Sequence, residues 1–124
     1  MSEKILVIED EIVSQNMLRS TLTQAGYSVV VASDGDEGIK KAAQDPPDLI
    51  ILDIMMPGMD GGEVAVILRN DPKTKNIPII FLSSLVPESK KQAAGKNTSI
   101  SYLPKPYNKD ELLNEVKKYF LEEN

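Results

Sequence analysis

The chain has 124 residues, 41% of them hydrophobic and 27% charged, with a formal net charge of −5 and neither Cys nor His. That length suits one domain with its own core, and no apolar run approaches the roughly 20 residues of a membrane-spanning helix. The acidic balance argues against a general nucleic-acid binder, and without thiols or imidazoles any chemistry must run on carboxylates, hydroxyls and lysines.

The opening MSEKILVIED places a short apolar run between charges, with no small-residue cleavage site after it, so a cytoplasmic location is expected. The pairs Lys40-Lys41, Lys90-Lys91 and Lys117-Lys118 are scattered and read as solvated helix faces.

Lys4 to Ile8 is an apolar run that stops at Glu9-Asp10-Glu11, the pattern of a buried strand ending in a polar turn. A helix is predicted next, with Ile12, Met17, Leu18, Thr21 and Leu22 on its inner side and Gly26 as its C-terminal cap. The β-branched stretch Tyr27 to Ala32 predicts a second strand, punctuated by Asp34-Gly35-Asp36.

A second helix is expected over Glu37 to Ala43, stopped by Asp45-Pro46-Pro47. The third strand, Leu49 to Leu52, runs directly into Asp53. A third helix carries Glu63, Val64, Ala65, Ile67 and Leu68 and ends before Asn70-Asp71-Pro72. Ile77 to Leu82 predicts a fourth strand that terminates at Ser83-Ser84.

Between Pro87 and Thr98 the pattern supports only a short or irregular fourth helix near Lys90 to Ala94. Ser99 to Leu103 predicts a fifth strand ending at Pro104-Lys105-Pro106, and Asn108 can cap a last helix with Leu112, Leu113, Val116, Phe120 and Leu121 inward. Five strands alternating with helices imply a doubly wound α/β domain over residues 1–124, with a parallel sheet covered on both faces.

In such folds ligands bind outside the carboxyl ends of the strands. Glu9 and Asp10, Asp53, Ser83 and Lys105 all fall there, which gathers three carboxylates, a hydroxyl and an ammonium on one edge. Turn propensity explains any one of these residues equally well. Converging carboxylates raise one another's pKa unless a cation intervenes, and Mg²⁺ suits a few carboxylates plus water better than Ca²⁺, whose loops carry closely spaced ligands. A carboxylate can attack phosphorus to form an aspartyl phosphate, and that transfer needs mainly positioning and charge neutralisation.

Ile8-Glu9-Asp10-Glu11, the run Asp53 to Gly61, Ser83-Ser84 and Lys105-Pro106 together resemble the response-regulator receiver family over nearly the whole chain. The resemblance implies a flavodoxin-like sheet of order 2-1-3-4-5 with five helices, and phosphorelay signalling in a two-component system. It implies Asp53 as phosphoacceptor, and Mg²⁺ held by Glu9, Asp10, Asp53 and the Met55 backbone carbonyl. Lys105 would contact a phosphoryl oxygen, Ser83 would be the switch hydroxyl and Tyr102 the switch aromatic. Composition alone leaves Tyr102 open as a half-buried strand aromatic.

The implied partners are a histidine kinase or histidine phosphotransfer protein and a downstream protein target, with no nucleic acid or membrane. The implied state is a monomer or a phosphorylation-dependent dimer. The sequence departs from the family pattern at Glu9, where Asp is usual, at Ser84, where Ala is common, and at Thr98, where Gly is frequent. Bulky Met55 and Leu85 beside the phosphoryl site suggest slow autodephosphorylation. A non-phosphorylated docking scaffold is disfavoured by the intact acidic set. A phosphohydrolase is disfavoured because Asp53-Ile54-Met55 offers no second carboxylate two residues on.

Overall fold

The computed structural model describes residues 3–56, 58–84 and 100–120. Five strands, β1 (Lys4–Ile8), β2 (Ser28–Ala32), β3 (Leu49–Asp53), β4 (Ile79–Ser83) and β5 (Ile100–Pro104), form one sheet of order β2-β1-β3-β4-β5. Every pairing is parallel. The helices among the described residues are α1 (Ile12–Gln24), α2 (Gly35–Gln44), α3 (Gly61–Arg69) and α4 (Lys109–Phe120). The expected helix near Lys90 to Ala94 lies outside the described residues.

Alternation along the strands divides the core in two. Leu6, Ile8, Ile50, Leu52, Ile79 and Phe81 face α2 and α3, where Ala42, Val64, Ala65 and Leu68 meet them. Ile5, Val7, Leu49, Ile51, Ile80 and Leu82 face α1 and α4, against Leu18, Leu22, Leu112 and Val116. Burial on both faces is why β1, β3 and β4 are continuous apolar runs. The chain winds outward to β2, then returns past β1 to begin β3, so the switch point lies between β1 and β3.

Caps set several boundaries. Asp34 accepts a hydrogen bond from Glu37 N at 2.8 Å, which starts α2 at Gly35, two residues before the expected Glu37. Asp60 and Glu63 form a reciprocal capping box that starts α3 at Gly61. Asn108 caps α4 as expected, accepting from Glu111 N at 2.8 Å. Strand β4 begins at Ile79 rather than Ile77, after Pro78, which has no N–H to give to a ladder. The first and last strands of the sheet run Ser28–Ala32 and Ile100–Pro104, each one residue later at its start than expected.

The inner face of α1 differs from its prediction. Ile12 and Met17 are 68% and 47% exposed, and the buried residues are Gln15, Leu18, Thr21 and Leu22. Gln15 earns its place with hydrogen bonds from Nε2 to Glu9 O at 2.6 Å and to Ser33 Oγ at 3.2 Å.

Gly61 joins the fold to the residues after β3. A Cβ there would stand 2.7 Å from Ile54 Cα and 2.8 Å from Asp53 O, both backbone atoms that cannot swing aside. Gly61→Ala is expected to lower stability by about 1–3 kcal/mol through overpacking. Urea denaturation reads this as a lower midpoint, and an unchanged midpoint contradicts it.

Candidate functional site

The last paired residues of β1 and β3 are Ile8 and Leu52, so Glu9 and Asp53 come next, side by side on adjacent strands. The core holds them there: Glu9 is 2% exposed and Asp53 3%. Glu9 N donates to Ala32 O at 3.0 Å, and Gln15 holds the Glu9 carbonyl, so the backbone at the end of β1 is fixed from two sides. Asp10 follows at the surface. Glu9, Asp10 and Asp53 each bring a carboxylate oxygen within 4.8 Å of the others.

Lys105 reaches this cluster from the end of β5. Its backbone N–H donates to Ser83 O at 2.8 Å, and its Nζ lies 3.1 Å from Asp53 Oδ1. The same oxygen accepts from Met55 N at 3.2 Å. Glu9 is served differently. Its Oε2 accepts from Glu11 N at 3.1 Å, whereas its Oε1 is buried with no hydrogen-bond partner.

Burial, then the neighbouring Asp53 charge, push the Glu9 carboxyl up from 4.5 to about 7, against the lowering pull of the Glu11 N–H and Lys105. A hydrogen bond between Glu9 and Asp53 requires a proton on one of them. With both ionised, Glu9 Oε1 is left as a buried acceptor facing negative charge.

The expected residues reach one edge to different extents. Glu9, Asp10, Asp53 and Lys105 form a contiguous charged cluster. Ser83 ends β4, buried, one residue past the Leu82 that pairs with Asp53. Tyr102 sits deeper along β5, opposite Phe81, with ring centroids 5.2 Å apart and planes inclined by 23°. It belongs to the apolar layer and is not part of the charged cluster. Met55 is 67% exposed beside Asp53, and Leu85 and Pro57 lie outside the described residues.

Two clefts open beside this edge. One, of about 470 Å³, is lined by Ile54, Met55, Met56 and Asp60. The other, of about 390 Å³, is bounded by Glu11, Ser14 and Met17 of the α1 side and by Ser84, Lys105 and Tyr107 opposite. Three carboxylates against one ammonium leave an excess of negative charge when all are ionised. Oxygen-only donors with an unsatisfied buried oxygen fit a hard divalent cation.

Sequence reasoning missed Gln15 and Tyr107. Gln15 is polar within a helix whose inner face is sought by apolar spacing, so periodicity passes over it. Tyr107 follows Lys105-Pro106, and nothing local distinguishes a buried phenol there from an exposed loop aromatic.

A family model described as the response regulator receiver domain matches residues 5–117. The response regulator PleD of Caulobacter vibrioides is 38% identical over 106 residues, which are 86% of this chain and 23% of PleD. The chain thus spans less than a quarter of that relative's length. Chemotaxis protein CheY4 of Vibrio cholerae superposes with a TM-score of 0.86 at 34% identity, over 96% of this chain and 99% of CheY4. The receiver domain of the sensor histidine kinase PA1611 of Pseudomonas aeruginosa, solved with a magnesium ion coordinated in its active-site cleft, gives a TM-score of 0.83 at 25% identity, over 96% of this chain and 98% of that one.

Because the folded state raises the Glu9 pKa, ionising Glu9 disfavours folding. The penalty is absent below about 4.5, where both states hold the proton, and grows as pH rises toward 7. Metal-free Glu9→Gln is therefore expected to exceed wild type in stability at pH 8 by about 3 kcal/mol. The gap should close below pH 4.5. Parallel pH profiles in urea denaturation contradict this.

Proposed function

The chain belongs to the response-regulator receiver family, signalling domains of two-component phosphorelays, and from that premise we propose that Asp53 is its phosphoacceptor. The observation that carries the reading is the Lys105 Nζ to Asp53 Oδ1 pair at 3.1 Å, set among carboxylates at the sheet's switch point. An Asp53 carboxylate oxygen attacks phosphorus, the donor's P–N bond breaks, and the bonding electron pair returns to the donor imidazole. These 124 residues contain no His, so a phosphohistidine must come from outside them, from a histidine kinase or histidine phosphotransfer protein.

Glu9, Asp10, Asp53 and the Met55 backbone carbonyl would hold Mg²⁺, which when bound supplies positive charge toward phosphoryl oxygens. Lys105 reaches the same oxygens and offsets the charge Asp53 acquires. Ser83, bonded through its carbonyl to Lys105 N, would supply the hydroxyl that follows the phosphoryl group. Tyr102, two residues before Pro104, would repack as that hydroxyl moves, altering a surface that a downstream protein reads. The whole acts as a cytoplasmic signalling domain that catalyses its own phosphorylation and slow dephosphorylation, as a monomer or a phosphorylation-dependent dimer. Among the described residues no helix is long and apolar enough to cross a membrane.

Incubation with radiolabelled acetyl phosphate is expected to label the wild type in a Mg²⁺-dependent manner and to leave Asp53→Asn unlabelled. Equal labelling of the two proteins contradicts the assignment. Met55, exposed at the mouth of the site, is expected to slow the attack of water on the phosphoryl group. Met55→Asn should shorten the phosphoprotein lifetime severalfold in a decay assay with Mg²⁺ present. A lifetime equal to wild type removes Met55 from that role.

A further inference from the structure

The sheet order leaves β2 with a neighbouring strand on one side only. Successive residues of a strand turn their N–H and C=O groups alternately to its two sides. Ser28 N donates to Glu3 O and Ala32 O accepts from Glu9 N, so the even-numbered residues of β2 face β1. Val29, Val31 and, just past the strand, Ser33 therefore turn their backbone groups to the free edge. The stretch Tyr27 to Ser33 has three consecutive valines and no charge, Pro or Gly, a composition that invites pairing with another strand when its edge is open.

Two side chains of α2 cover that edge. Lys41 Nζ donates to Val31 O at 2.7 Å, and Glu37 Oε1 accepts from Ser33 N at 2.6 Å. The two also pair with each other, Lys41 Nζ lying 3.2 Å from Glu37 Oε2 across one helical turn. One residue of an added parallel strand would meet the same two groups, its N–H giving to Val31 O and its C=O accepting from Ser33 N. The ion pair thus takes the place of one residue of a sixth strand. The Ser33 N–H first, and Lys41 next, hold the Glu37 carboxyl below its ordinary pKa, so it remains an ionised acceptor at neutral pH.

We propose that the Glu37–Lys41 pair holds the β2 edge closed, and that without it this edge pairs with β2 of a second copy of this chain. The occupant follows from the strand itself. A two-fold axis brings two β2 edges together antiparallel, and each copy then offers the other the same uncharged stretch, with no like charges to oppose the contact. Glu37 and Lys41 lie outside the acidic cluster of Glu9, Asp10 and Asp53, so the inference stands apart from the phosphoacceptor reading.

Glu37→Ala combined with Lys41→Ala removes both caps and leaves the net charge at −5. Sedimentation equilibrium of the unphosphorylated proteins over a range of concentrations is expected to show the mass of this variant climbing toward that of a dimer, while wild type keeps a lower mass. Lys41→Arg retains a donor and should follow wild type. Val29→Pro, added to the double variant, removes an N–H that faces the free edge and none that binds β1, and should return the mass to the wild-type value. A double variant that is folded by circular dichroism and keeps the wild-type mass throughout overturns the proposal. Association that survives Val29→Pro, or that appears equally in Lys41→Arg, overturns it as well. Should the double variant not fold, Lys41→Ala alone decides. Its added negative charge opposes association, so a mass above wild type supports the proposal and a wild-type mass overturns it.

Discussion

The structure turns on a conflict that the parallel register of β1 and β3 imposes, because it sets the buried carboxylates of Glu9 and Asp53 next to each other. Left to solvent, two such groups would separate or one would take up a proton. Here the strands that carry them are buried on both faces, so the apolar core fixes the positions regardless of the local electrostatic cost. Lys105 relieves part of it from the end of β5, and Met55 N and Glu11 N relieve more. The remainder is an appetite for positive charge, which is the property a phosphoryl-accepting carboxylate needs around it.

That arrangement also ties the site mechanically to the far side of the sheet. Lys105 N is bonded to Ser83 O, and Ser83 pairs with Pro104 in the register that sets Phe81 against Tyr102. The charged cluster and the stacked rings thus occupy successive levels of the same two strands. Ser83 and Tyr102 therefore lie on paired strands, two positions apart in the register, and the switch proposed for them rests on that placement.

Much of this was legible in the sequence because central parallel strands leave an unambiguous trace. Leu49 to Leu52 is apolar at every position and ends on Asp53, so both the strand and its functional terminus are visible at once. Asn108 announced α4 in the same way, as a local cap, and in the structure it exchanges hydrogen bonds with Glu111. Legibility failed where tertiary contacts outweigh local pattern. Ile12 and Met17 fit an apolar spacing yet flank the buried face, while Gln15 is buried because Glu9 O and Ser33 Oγ receive its amide. Tyr107 comes under the charges of Glu9 and Asp53 only through folding, and no local motif encodes that.

The claim that the fold holds an unbalanced acidic cluster open to a divalent cation is tested most directly by thermal unfolding at pH 8 over a range of Mg²⁺ concentrations. A ligand bound only by the folded state raises the midpoint progressively with its concentration. The account predicts such a rise in the wild type and its near disappearance in Asp10→Asn, an exposed position whose change should leave the core intact. A midpoint indifferent to Mg²⁺, or the same rise in both proteins, would contradict it.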